Sequence, residues 1–155
     1  MPSEVTPDEI VGVAVQLEEA GKEFYEQAAK ITSETRSLFE NLARAEERHA
    51  QLFSKMESRS RASATGPAFE YLVNLMRTGP IASLRESGKL AETPLNLDEA
   101  LDLATKFEKD TILFFGGLIE LLSASAAETT QKIVSEEKRH LQAVIESRRT
   151  YQSRR

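Results

Sequence analysis

Glu46-Glu47-Arg48-His49 and Glu137-Lys138-Arg139-His140 are near-copies of one short stretch, 91 positions apart in a chain of 155 residues. The chain has only two histidines, and each follows a glutamate by three positions. On a helix, residues at i and i+3 project from the same side, so each copy offers one carboxylate and one imidazole to its neighbour. Two such pairs, each preceded by a helix with one core-facing glutamate, suit a pair of metal ions inside a four-helix bundle.

The sequence around the two copies carries helical periodicity. The first copy lies on a stripe of Leu38, Leu42, Ala45, Leu52, Phe53 and Met56, and Thr32-Ser33 offers a cap, which predicts a helix over about 33–60. The second lies on a stripe of Ile133, Val134, Leu141, Val144 and Ile145, predicting a helix over about 127–149. Upstream of the first copy, Thr6-Pro7-Asp8-Glu9 has a capping threonine, a proline at the first helical position and a glutamate where a capping box needs one. Ile10, Ala14, Leu17, Gly21, Phe24, Tyr25 and Ala28 then mark one face of a helix over about 7–30, and Glu18 falls inside that face. Upstream of the second copy, Asn96-Leu97-Asp98-Glu99 starts a helix over about 97–122. Its stripe runs through Leu101, Ala104, Phe107, Thr111, Phe114, Phe115, Leu118 and Leu122 and includes Glu108; Gly116-Gly117 marks either a close contact or a local bulge. The turn to the last helix is placed within 123–127. Residues 61–96 hold Gly66-Pro67, Gly79-Pro80, Gly88 and Pro94 and read as a long crossover with a short helix from about Ala68 to Met76.

The halves repeat. Tyr25 follows Glu18 by seven positions and Phe115 follows Glu108 by seven, while Glu46 lies 28 after Glu18 and Glu137 lies 29 after Glu108. Each half is therefore a helical hairpin with one glutamate on its first helix and Glu-x-x-His on its second. The expected fold is all-α, a four-helix bundle formed as a single domain over 1–155. Glu18, Glu46, His49, Glu108, Glu137 and His140 are its candidate metal ligands. Carboxylates on apolar stripes are costly to bury unless they are paired, protonated or metal-bound, so four at matching heights with two imidazoles call for one explanation.

Composition narrows the alternatives. A 40% apolar, 29% charged chain with few glycines and prolines is an ordinary globular helical protein. Net charge of −5 does not suggest nucleic-acid binding. Cysteine is absent, which excludes disulfides, thiolate catalysis and cysteine-ligated metal within these residues. No signal peptide or membrane-length apolar run is evident, so the expected setting is the cytoplasm. Glu19, Glu23, Glu47 and Glu136 fall outside the stripes and read as a solvated face. Asp102 and Asp110 are candidates for orienting a ligand histidine, and Tyr25 is a core aromatic with a candidate role beside the metal. Arg148-Arg149 and Arg154-Arg155 read as favourable charge at a helix C-terminus.

With these residues in place, the chain resembles the rubrerythrin branch of the ferritin-like di-iron carboxylate proteins. The matching pieces are Glu18-Glu19-Ala20-Gly21-Lys22-Glu23-Phe24-Tyr25, Glu46-x-x-His49, Phe107-Glu108-Lys109-Asp110 and Glu137-x-x-His140. The resemblance implies that the six residues bind two iron ions, with manganese or zinc as alternatives, and that Glu46 and Glu137 bridge them. It implies a homodimer, with exchange of hairpins between subunits as one form. It also implies an oxidoreductase that reduces hydrogen peroxide or dioxygen. Full-length rubrerythrins add a cysteine-ligated rubredoxin-like domain, so electrons are expected here from a separate rubredoxin-like carrier. The family's extra glutamate one turn before the third-helix ligand is Thr105 here, which shifts the expectation toward a simpler six-ligand set. Ferroxidase or iron-handling activity is the second expectation, and a non-enzymatic helical metal-binding protein the third.

Overall fold

The structure is a computed structural model that describes residues 6–56, 66–78 and 96–154. Those residues form five helices: α1 (Pro7–Ala28), α2 (Arg36–Met56), α3 (Pro67–Thr78), α4 (Leu97–Ile119) and α5 (Ala124–Ser153). Four of them make the bundle. The fifth, α3, is the short helix expected inside the crossover.

Two helix starts follow from their caps. The Glu9 amide donates to Thr6 Oγ1 at 3.2 Å while the Thr6 amide donates to Glu9 Oε2 at 2.7 Å, closing the capping box. Asn96 Oδ1 accepts from the Glu99 amide at 2.9 Å and opens α4. Two other boundaries differ from expectation. Helix α2 begins at Arg36 rather than at 33, because Thr32 Oγ1 accepts from the Glu34 amide at 3.3 Å and stabilises a turn instead of capping a helix. The turn between α4 and α5 falls on 120–122, ahead of the expected place, because Ser123 is itself the N-cap of α5. Helix α5 then runs to Ser153, past the expected 149. The expected end of the second helix near 60 and most of the crossover lie outside the described residues.

Helix α1 packs along α2 and α4 along α5, as short connections require of antiparallel neighbours. The hairpins meet through α1 against α4 and α2 against α5, and α3 lies on α4. Apolar packing divides into two clusters. One joins Ile10, Ala14 and Leu17 of α1, Phe53 and Met56 of α2, Phe114, Phe115 and Leu118 of α4, and Ile133 of α5, with Leu72 from α3. The other joins Phe24, Tyr25 and Ala28 of α1, Phe39 and Leu42 of α2, Leu101, Ala104 and Phe107 of α4, and Val144 of α5. The C-terminal parts of α2 and α4 share the first cluster, so these helices run parallel. Leu52, placed on the core stripe by its spacing, is 38% exposed at the edge of α2.

Gly117 is where α3 approaches α4. A methyl group there would stand 2.9 Å from Leu72 Cδ2 and 3.3 Å from the Tyr71 ring, whereas Gly116 faces open space. The glycine pair therefore permits close contact, through one member, inside an unbroken helix. Among the described residues, no helix is long and apolar enough to cross a membrane.

Candidate metal centre

Between the two apolar clusters lies a layer of charge. Glu18 from α1, Glu46 from α2, Glu108 from α4 and Glu137 from α5 are fully buried, and His49 is 1% exposed. His140, the remaining member of the six, keeps 16% of its side chain exposed. Each residue reaches the layer because it occupies its helix's apolar stripe, next to or one turn from buried neighbours such as Leu17, Phe53, Phe107 and Val134.

The six side chains form two overlapping groups. Glu18, Glu46, His49 and Glu137 bring one ligand atom each within 4.8 Å of one another, and so do Glu46, Glu108, Glu137 and His140. Glu46 and Glu137 belong to both. His49 Nδ1 lies 2.9 Å from Glu137 Oε1 and 3.3 Å from Glu18 Oε2. His140 Nδ1 lies 3.1 Å from Glu137 Oε2, 3.8 Å from Glu46 Oε1 and 3.9 Å from Glu108 Oε2. The two imidazole rings are nearly parallel, with centroids 5.8 Å apart.

Without an ion, the electrostatics are unfavourable. Burial, followed by the charges of Glu46 and Glu137, pushes the Glu18 carboxyl well above its usual range. Burial together with Glu137 and Glu46 does the same to Glu108, and burial together with Glu137 raises Glu46. Burial acts upward on Glu137 as well, but hydrogen bonds from His140 and His49 outweigh it and hold this carboxyl well below the usual range. Burial disfavours a charged His49, yet its hydrogen bond to Glu137 and the nearby Glu46 carboxylate prevail and push it up to about 10. Protons thus take the place of positive charge in the layer.

A metal fits this layer. Glu18 Oε1, both Glu46 carboxylate oxygens and Glu108 Oε2 are buried without a hydrogen-bond partner. Orphaned oxygens of this kind are rare in folded proteins and are the atoms a cation would engage. Carboxylate with imidazole is a donor set suited to iron, manganese or zinc.

The surroundings hold individual ligands in place. The Tyr25 hydroxyl donates to Glu108 Oε1 at 2.6 Å, and its ring packs against Phe24, Phe39 and Phe107. Burial, then the Glu108 charge, raises Tyr25, so it stays a donor at ordinary pH. Gly21 leaves room for the Phe107 ring: a methyl there would stand 2.5 Å from Phe107 Cζ and 3.4 Å from Glu46 Cγ. Thr105 donates its hydroxyl to the Leu101 carbonyl oxygen at 2.8 Å.

Four assignments change. Glu136 is no bystander, since its Oε2 lies 2.9 Å from His49 Nε2, with Arg48 Nη2 3.8 Å away on the outside. Burial acts upward on Glu136, but the bond to His49 outweighs it and the carboxyl is held below its usual range. Asp102 does not orient a histidine; it pairs with Arg148 at 2.5 Å and ties α4 to α5. Asp110 does not orient a histidine either: its Oδ2 is buried with no hydrogen bond, and the hydrogen bonds of His49 and His140 go to Glu18, Glu136 and Glu137. Arg148 and Arg154 act through specific partners, Asp102 and Glu34, rather than through helix-end charge alone. The one sequence signal for Glu136 was a break in the repeat: the residue before Glu137 is glutamate, whereas the residue before Glu46 is Ala45.

A family model described as Rubrerythrin matches residues 9–144 of the chain. A crystal structure from Thermotoga maritima, of a protein assigned as a ferritin-like diiron-carboxylate protein, superposes with a TM-score of 0.69. It is 27% identical and the match covers 94% of this chain and 96% of that one. No curated protein matches.

Proposed function

Because the chain belongs to the rubrerythrin family, we propose that it is a non-haem di-iron oxidoreductase, reducing hydrogen peroxide or dioxygen with electrons from a separate carrier. The observation that carries this reading is the pair of overlapping four-ligand groups sharing Glu46 and Glu137. Glu18, Glu46, His49 and Glu137 would hold one ion, and Glu46, Glu108, Glu137 and His140 the other. Four carboxylates balance the charge of two Fe(II) ions. When bound, such a pair supplies two electrons together, enough with two protons to take hydrogen peroxide to two waters.

The chain's own residues do the remaining work. The apolar clusters on either side exclude bulk water from the carboxylate layer, which strengthens every charge interaction inside it. Tyr25 fixes the orientation of Glu108 through its 2.6 Å bond. The partly exposed edge of His140 is the side on which a small oxidant can reach the layer. None of the 155 residues is a cysteine, so the donor that returns electrons is a protein or domain outside them.

The test is to load metal-free protein with iron, reduce it, and add peroxide in the presence of a reduced rubredoxin-like carrier. Two carrier molecules oxidised per peroxide consumed is the expected result. Iron-loaded protein that reduces neither peroxide nor dioxygen overturns the proposal. Thr105 favours a second reading, oxidation of Fe(II) as a substrate, because its hydroxyl is committed to Leu101 and α4 gives the layer a single carboxylate, Glu108. Steady Fe(II) turnover with mineral inside a hollow assembly would select that reading instead.

A further inference from the structure

The sequence repeat implies two equivalent halves, but the structure breaks that equivalence at one place. Glu136 precedes Glu137 in the second half and reaches across to the first, where its Oε2 meets His49 Nε2 at 2.9 Å. The corresponding residue of the first half is Ala45, 2% exposed, which has no group to offer His140. His49 and His140 also differ in burial, at 1% and 16% of the side chain.

We infer that the two metal subsites are inequivalent, with a tight, sealed one at His49 and a labile, solvent-side one at His140, and that Glu136 sets the difference. This rests on the metal-centre reading above. A histidine that donates its far N–H to a carboxylate is fixed in one tautomer and orientation, and its other nitrogen becomes a better ligand. With Nε2 directed at Glu136, the nitrogen that His49 would offer an ion is Nδ1, which lies beside Glu18, Glu46 and Glu137. His140 presents its Nδ1 to Glu46, Glu108 and Glu137, but position 45 supplies no such support and water reaches its ring. Glu136 is thus a positioning residue for one subsite. Being 35% exposed and paired with Arg48 at 3.8 Å, it can be changed without opening the core. Losing such an outer carboxylate commonly weakens metal affinity about 10- to 100-fold.

Cobalt(II) titration of the metal-free protein, followed by its visible absorption, tests this without any turnover assay. Two binding phases of one equivalent each are expected, separated by about tenfold or more in affinity. In the Glu136→Ala variant the tighter phase should weaken by about 10- to 100-fold while the weaker phase stays put, with Glu136→Gln falling between. The bands of the first cobalt should shift in both variants, a response that a loss of global stability would not produce. Shared bridging carboxylates could by themselves separate the phases. In that case Glu136→Ala leaves both unchanged, and the inference is overturned. Two equal affinities in the parent protein, or selective weakening of the second phase, also overturn it while leaving a metal centre in place. Failure to bind cobalt, iron, manganese or zinc at all removes the metal-centre reading and this inference with it.

Discussion

Two ligands of the candidate centre, Glu108 and His49, are held by neighbours outside the set, Tyr25 and Glu136. Tyr25→Phe deletes the donor to Glu108 Oε1 without changing the ring packing. In the metal-free protein it should cost about 1–3 kcal/mol, the usual penalty for leaving a buried acceptor unpaired. Urea unfolding reads this directly, and the loss should shrink once an ion engages Glu108. Changing Glu46 and Glu137 together to alanine removes both shared carboxylates, and elemental analysis should then find no stoichiometric metal. Stoichiometric iron in that variant would show that the ligand set is wrong. At this scale the sequence was informative for all six side chains of the layer, because two histidines and their glutamates stand on apolar stripes where charge is conspicuous. Glu136 was legible only as a break in the repeat, not as a partner of His49. Its own helix gives it an outward position, and its contact depends on which residue of the other hairpin lies opposite.

At the scale of the helix, the glycines separate into two kinds. Gly21→Ala would drive a methyl to 2.5 Å from the buried Phe107 ring, so it should destabilise by about 1–3 kcal/mol despite alanine's better helix propensity. Gly116→Ala meets nothing within 4 Å and should stabilise α4 by up to about 1 kcal/mol. Chemical denaturation of both variants checks the pair, and the same sign for each would contradict the packing described. The sequence showed that position 116 or 117 was special but not which, since that depends on the approach of α3. Helix starts were readable where a side chain caps, as at Thr6 and Asn96. The start of α2 was misplaced because Thr32 offers its hydroxyl equally well to a turn. The α4–α5 turn was misplaced because Glu120, Leu121 and Leu122 include neither glycine nor proline, and Ser123 alone marked the next cap.

For the whole molecule, the buried layer links stability to pH and to metal. Glu18, Glu46 and Glu108 are raised above 4.5, so between that value and their folded-state values the native chain holds more protons than the unfolded chain. Stability therefore falls as pH rises through this range. His49, raised from 6.5 to about 10, acts in the same direction: its contribution is complete below 6.5 and is lost as pH climbs toward 10. Glu137, held down, opposes them with a contribution present above 4.5. Four groups against one predict a metal-free protein that is harder to unfold at pH 5.5 than at pH 8, by thermal or urea denaturation. Metal binding should release protons and tighten with rising pH, so the loaded protein should lose this decline. An ion held at a thousand times its dissociation constant adds about 4 kcal/mol. An unchanged unfolding midpoint after saturating metal would refute the link.

The charged layer divides the interior into two separate apolar clusters, and neither is continuous with the other. In an ion-depleted cell, newly made chains would close around repelling carboxylates and visit open states more often, where proteases act. Scarcity of metal would then become scarcity of the protein itself. Its turnover rate would follow the supply of its own cofactor, with no dedicated sensor needed.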